Sequence, residues 1–213
     1  MQAVILAGGL GTRLKPLTRQ VPKVMVLVNG EPFLLHLLRL LKYHGVSEIV
    51  LCTGYLSGQV REFFRNGGSF GIRIRYSEEK EGLLGTAGAL KQAQNLLDEH
   101  FFVINGDTYL PIDYAEVEKS FLKRDKMALM VVYDNREKTG VKNNVALDND
   151  LMVIRYDKES PGPDLKYVEA GVLVLRREAL DNIEVKQSVS LEKGLYPALI
   201  QQRQLAVYIT SQR

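Results

Sequence analysis

The chain offers its first chemistry at Gly8-Gly9-Leu10-Gly11-Thr12-Arg13, directly after a short apolar run. Glycines there let backbone N–H groups approach phosphate oxygens, and Arg13 can turn its planar fork toward the same group. Leu14 stands where a Rossmann fingerprint needs its third glycine, and the Gly-Lys-Ser/Thr of a Walker loop is missing, so neither of those phosphate loops fits. A plain strand-to-helix turn would explain a lone glycine cluster. Here Pro16 and then Pro22-Lys23 keep the next segment extended and bring a second cation beside the loop. A carboxylate follows at Asp107, released by Asn105-Gly106 just past the apolar run 101–104. An isolated Asp after a strand is a turn former. At the end of a sheet strand it is also a hard oxygen ligand suited to Mg²⁺ bridging phosphate oxygens.

The elements that must hold these residues alternate. A buried strand is expected at 2–7, and Pro32 opens a helix whose Leu34, Leu37, Leu38 and Leu41 recur at helical spacing until His44-Gly45. The pattern continues with a strand at 48–53, a helix near 57–64, a turn at Asn66-Gly67-Gly68 and a strand at 72–77. A helix near 86–97, the strand 101–104, a helix at 115–123 and a strand at 127–133 follow. Helices between short apolar strands predict βαβ crossovers and an α/β fold with a mainly parallel sheet covered on both faces. Beyond residue 133 the stretches 143–147, 151–156 and 167–175 read as strands joined by polar turns, among them Ser160-Pro161-Gly162-Pro163. They are expected to extend the sheet and to receive a second substrate. No repeat or linker divides the chain, so one domain over 1–213 is expected, with a nucleotide-binding part to about residue 112 and the remainder for the second substrate.

Composition narrows the partners. With 28 basic and 25 acidic residues the net charge is only +3, too small for a broad nucleic-acid footprint. Residues 1–7 carry no basic leader, and no run approaches the ~18 apolar residues of a membrane span, so a cytoplasmic protein without membrane partners is expected. Cys52 lies in an apolar strand and reads as packing. His36, His44 and His100 are scattered and form no zinc pattern. Glu78, Glu79, Lys80 and Glu81 read by themselves as a charged loop, whereas Gly85 and Gly88 at a helix entry cost helix stability and permit close ligand approach.

The run from Leu6 through Leu14, followed by Pro16-Leu17-Thr18 and Pro22-Lys23-Val24-Met25, resembles the signature of the sugar-phosphate nucleotidyltransferase family. The resemblance implies a Rossmann-like three-layer sheet of the nucleotide-diphospho-sugar transferase type. It also implies that Leu6, Ala7, Gly8, Gly9, Gly11 and Thr12 bind the nucleotide while Arg13 and Lys23 contact its phosphates at the reacting centre. Tyr76-Ser77-Glu78-Glu79 and the glycine turn at 85–90 resemble the family's base and ribose segment. By that likeness Glu79 contacts the base, and Gly85, Thr86 and Gly88 contact the nucleotide. Asn105-Gly106-Asp107 resembles the metal position, implying Asp107 as the Mg²⁺ ligand and a third catalytic residue, with Asn105 on the sugar-phosphate side. The later half is looser. Gly140 stands where the family has a glycine beside the sugar, and Tyr156-Asp157-Lys158 resembles a Glu-Lys-Pro segment with Asp157 for the glutamate and Glu159 for the proline. Lys158 would then hold the sugar phosphate, and Glu169-Ala170-Gly171 would face sugar hydroxyls.

What the family resemblance implies is transfer of a nucleoside monophosphate from an NTP to a sugar-1-phosphate, with pyrophosphate released. Segments 32–34, 71–77 and 84–90 resemble a branch that includes guanylyl transferases for heptose phosphates, which points to guanylyl transfer onto a heptose- or mannose-type sugar phosphate. Uridylyl or thymidylyl transfer to a hexose-1-phosphate shares most of the same residues. The family also supplies a second metal-binding aspartate after its last strand, where this sequence reaches Arg213. Weakened metal binding, a ligand from another group, or an impaired nucleotide-sensing protein are the corresponding expectations. Oligomeric state has no sequence signal.

Overall fold

A computed structural model describes residues 1–137, 140–160, 162–184 and 188–212; Pro161 of the proline-glycine turn and Arg213 lie outside the described residues. Strand β1 (Gln2–Leu6) leads through three 3₁₀ turns to the hairpin β2 (Leu27–Val28) and β3 (Glu31–Pro32), and then to α1 (Phe33–Tyr43). β4 (Glu48–Thr53), α2 (Ser57–Phe64), β5 (Arg73–Glu78), α3 (Gly85–Ala93), β6 (His100–Asn105), α4 (Tyr114–Arg124) and β7 (Ala128–Tyr133) complete the alternating part. The rest comprises β8 (Val145–Leu147), β9 (Val153–Tyr156), β10 (Val168–Arg176), a π-helical turn Leu191–Leu195, α5 (Tyr196–Gln201) and β11 (Leu205–Thr210).

Side chains alternate across a strand, so a sheet covered on both faces needs apolar residues at every position. β1 meets that condition. Its Ala3 and Ile5 pack with Leu34, Leu37, Leu38 and Leu41 of α1, while Val4 faces Ala87 and Leu90 of α3 in the opposite layer. All the α1 leucines named are buried, and each contributes about 1.5–3 kcal/mol relative to exposure. At the start of α4, Asp113 accepts the Ala115 and Glu116 N–H groups, a cap worth ~1 kcal/mol.

The strand order is β11-β7-β10-β6-β1-β4-β5. β1, β4, β5 and β6 run parallel, as do β7 and β11, whereas β10 inserts antiparallel between β6 and β7. The expected mainly parallel α/β sheet is present, with one reversed strand inside it. The expectation that 143–147 and 151–156 extend this sheet is corrected. β8 and β9 pair with each other as a separate two-stranded sheet, which meets the β11 edge of the large sheet only through an isolated bridge between Met152 and Ala206. The helix expected to residue 97 ends at Ala93 and passes into a 3₁₀ turn, Gln94–Leu96. Among the described residues no helix is long and apolar enough to cross a membrane.

The parallel set has a direct consequence for chemistry. Chain segments after β1, β4, β5 and β6 all emerge at one edge of the sheet, which is where such folds place ligands.

Candidate active site

A cleft of about 240 Å³ opens at that edge. Leu6, Ala7, Gly8 and Gly9 line it from the end of β1, and Asn105, Gly106 and Asp107 from the end of β6. Glu79, Leu83, Gly85, Thr86 and Ala89 form the wall contributed by β5 and α3, with Lys23, Val24 and Cys52 completing it. The loop leaving β1 is pinned by Ala7 N–H donating to Cys52 O at 2.8 Å and Tyr55 N–H to Gly8 O at 3.4 Å.

Glu79 approaches the β1 loop closely at Gly8, where an added Cβ would lie 2.7 Å from Glu79 Oε1 and the carboxylate would have to move aside. Glu79 in turn accepts the Leu84 N–H at 2.6 Å. Burial pushes its carboxyl above the ordinary range, and the Leu84 N–H opposes that only in part.

Across the cleft the Lys23 ammonium pairs with the Asp107 carboxylate, their side chains 26% and 42% exposed. Lys23 is presented by the 3₁₀ turn that follows Pro22. An ion pair this open is worth only about 0–1 kcal/mol, so Lys23 can trade it for a phosphate oxygen at little cost. Among the described residues no three His, Cys, Asp or Glu side chains converge into a metal cluster.

Of the residues singled out in the sequence, Leu6, Ala7, Gly8, Gly9, Lys23, Glu79, Gly85, Thr86, Asn105 and Asp107 meet in this cleft. Gly11, Thr12 and Arg13 do not line it. Gly11 adopts φ +61°, its carbonyl accepts Thr18 Oγ1–H at 2.8 Å, and Arg13 two residues on is exposed. The expectation that Arg13 shares the cleft with Lys23 and Asp107 is therefore not met in this conformation.

Gly88 also departs from expectation. It is buried within α3, and its N–H, like that of Ala87, is taken by the Val189 carbonyl at 3.2 and 2.9 Å respectively. A Cβ at Gly85, where φ is +70°, would meet that same carbonyl at 2.6 Å. A neighbouring chain segment accounts for this glycine as directly as a ligand would. Gly140 is exposed, and a Cβ added to it would meet nothing within 4 Å. It precedes Val141, which belongs to a separate hollow of about 290 Å³.

Lys158 and Glu169 form a second polar cluster. Glu169 Oε2 lies 3.1 Å from Lys158 Nζ and accepts the Tyr156 hydroxyl, while the other carboxylate oxygen accepts Tyr196 Oη–H at 2.8 Å. A carboxylate only 11% exposed needs those three donors, since burying an unpaired charge costs several kcal/mol. Burial lowers the Lys158 ammonium, but Glu169 and Glu192 outweigh it and hold the ammonium above its ordinary value. The cluster stands beside the cleft without lining it. Gly171, two residues past Glu169, abuts Asn105, and Thr86 accepts the Leu191 N–H at 2.7 Å.

Sequence reasoning did not assign Val24, Cys52, Leu83, Ala89 or Gly106 to the site. Val24, Ala89 and Gly106 lie inside the motif segments, so adjacency was their signal. Cys52 alternates with Leu51 along β4 and faces the α3 layer, where burial pushes its thiol far above the usual range and leaves it inert. Leu83 has no signal beyond its position in a loop.

Known proteins similar to this chain share one family. A family model described as nucleotidyl transferase matches residues 2–213. The chain is 33% identical over 196 residues to the D-glycero-α-D-manno-heptose 1-phosphate guanylyltransferase of Campylobacter jejuni subsp. jejuni serotype O:2, covering 92% of this chain and 85% of that protein. It is 35% identical over 220 residues to the mannose-1-phosphate guanylyltransferase catalytic subunit beta of Xenopus tropicalis, covering 96% of this chain but 58% of that protein. The chain thus spans little more than half the length of that mannose-type relative. The crystal structure of HddC from Yersinia pseudotuberculosis complexed with GMP-PN matches with a TM-score of 0.82 at 27% identity, over 100% of this chain and 91% of that one.

Proposed function

This chain belongs to the nucleotidyl transferase family, and on that premise we propose that it transfers a guanylyl group from GTP to a heptose- or mannose-type sugar-1-phosphate, releasing pyrophosphate. The observation that carries the proposal is the convergence of the Gly8-Gly9 backbone, the Lys23 ammonium and the Asp107 carboxylate on one cleft at the strands' C-terminal ends. Glycine backbone and a loosely paired cation suit a polyphosphate. Glu79, reaching the same cleft as an acceptor, suits a base that presents N–H donors, as guanine does.

The reaction needs no serine, cysteine or histidine nucleophile, because a phosphate monoester is already anionic at neutral pH. Its oxygen bonds to the α-phosphorus as the bond from that phosphorus to the bridging oxygen breaks, and pyrophosphate leaves with the electron pair. What the chain contributes is positioning and charge. Lys23 leaves Asp107 to hold the α-phosphate, Arg13 folds in with its loop to hold the leaving phosphates, and Lys158 holds the attacking monoester. Asn105, Gly140 and Glu169 belong to the sugar side. Gly11, Thr12 and Gly88 support the nucleotide side from outside the cleft wall.

One carboxylate beside a phosphate site fits Mg²⁺, which keeps several waters and takes one or two carboxylates together with substrate phosphates. Asp107 would hold it, and the ion would neutralise charge on the phosphate oxygens. Residues 1–213 act as one unit in this scheme, the part to about residue 112 serving the nucleotide and the remainder the sugar phosphate, and a cytoplasmic location fits the use of NTP.

A substrate panel tests the proposal: GTP, ATP, UTP and dTTP, each with mannose-, heptose- and glucose-type 1-phosphates, read by pyrophosphate release. GTP with a mannose or heptose phosphate is expected to give the highest rate. A preference for UTP or dTTP with a hexose phosphate would transfer the assignment to that chemistry. NTP binding without pyrophosphate from any pair would make the chain a nucleotide sensor and refute transfer.

A further inference from the structure

Lys158 sits between two carboxylates. Its ammonium is 3.1 Å from Glu169 Oε2 and 3.1 Å from Glu192 Oε1. One positive charge between two negative ones leaves a local excess of negative charge, which is a poor lure for a phosphate dianion. The arrangement makes sense if its purpose is direction. A lysine ammonium has three N–H donors on a flexible stem, and occupying two of them with fixed acceptors leaves the third with one heading.

Both acceptors are fixed. Glu169 is held by the hydroxyls of Tyr156 and Tyr196. Glu192 lies in the first turn of the π-helical segment that Ser190 caps by accepting the Lys193 N–H at 3.2 Å. The residue before it donates its N–H to Thr86 Oγ1, and Val189 exchanges backbone hydrogen bonds with Leu84, Ala87 and Gly88. Thr86 lines the nucleotide cleft. Glu192 therefore fixes Lys158 from the nucleotide wall, and Glu169 fixes it from the sheet.

We propose that Glu192 is a positioning residue for sugar-phosphate transfer: anchored to the first turn of α3, it holds the Lys158 ammonium so that its remaining N–H meets the attacking phosphate. This rests on the transfer reaction proposed above and adds to it a residue outside the cleft that acts only through Lys158.

Steady-state kinetics with GTP and α-D-mannose 1-phosphate test it on Glu192→Gln, Glu192→Asp, Lys158→Ala and the Lys158→Ala/Glu192→Gln pair; if another pair prevails in the panel, that pair is used. Glu192→Gln is expected to lower kcat/KM for the sugar phosphate by about tenfold or more, since small misplacement of a reacting group costs up to ~10²-fold. KM for GTP should stay within about twofold, and Glu192→Asp, which keeps a carboxylate, should recover part of the loss; were Glu192→Gln to fold poorly, this variant carries the test. In the Lys158→Ala background, Glu192→Gln should change nothing further. Wild-type kinetics in Glu192→Gln, an equal loss with and without Lys158, or an equal rise in KM for GTP would overturn the assignment while the transfer reaction stood. A wild-type enzyme that releases no pyrophosphate would remove both.

Discussion

At Lys23 the chain keeps a cation on a carboxylate that it can release. The pair is partly exposed and so weak, which makes its exchange for a phosphate a small step. Replacing Lys23 by alanine is expected to lower turnover by about 10² or more, the size found when one preorganised charge contact is removed, with the circular dichroism spectrum unchanged. Arg13→Ala should cost a similar factor even though the side chain is exposed and outside the cleft lining, because the proposed reaction brings that charge to the leaving phosphates. Pyrophosphate release at the wild-type rate in either variant would remove that residue from the chemistry.

Among the elements, those with strong periodicity were legible. α1 follows its leucines from Phe33 to Tyr43, and β1, β4 and β6 follow their apolar runs. β10 was legible as a strand but not as an antiparallel insertion, since direction depends on partners distant in sequence. β11 went unread despite its plain run from Leu205 to Thr210. The turn at Leu191–Leu195 offered little to read, as Ser190, Glu192 and Lys193 look like any charged helix start until Lys158 is found beside them. That turn carries a pH signature. Burial raises the Glu192 carboxyl, but its own backbone N–H, Lys158 and Ser190 outweigh this and leave it below the ordinary 4.5. A carboxyl depressed in the folded state contributes stability that is fully present above its unfolded pKa and fades as pH falls through its folded one. The difference in Tm between wild type and Glu192→Gln should therefore be constant from neutral pH to about 4.5 and change as pH drops further, with Lys158 charged throughout and Glu169, Tyr156 and Tyr196 in the same cluster. A difference that ignores acidification contradicts the pairing.

Over the whole molecule, the proposed nucleotide side was readable because its residues cluster in short motifs at strand ends, and a parallel sheet brings strand ends together by construction. Leu6 to Gly9, Glu79, Gly85, Thr86 and Asn105 to Asp107 meet for that reason. The sugar side was readable only in pieces. Lys158 follows β9, Glu169 lies on β10, Glu192 in the π-helical turn and Tyr196 at the start of α5, and no local pattern announces their meeting. In the proposed reaction one cleft holds an NTP so that its α-phosphorus passes to a sugar phosphate. Incubation of the protein with Mg²⁺, a sugar-1-phosphate and GTP labelled on the α-phosphate, followed by separation of the products, traces that transfer. The label should appear in a nucleotide-sugar, with unlabelled pyrophosphate formed in equal amount; label remaining in GTP, or emerging as free GMP with no sugar attached, would contradict it.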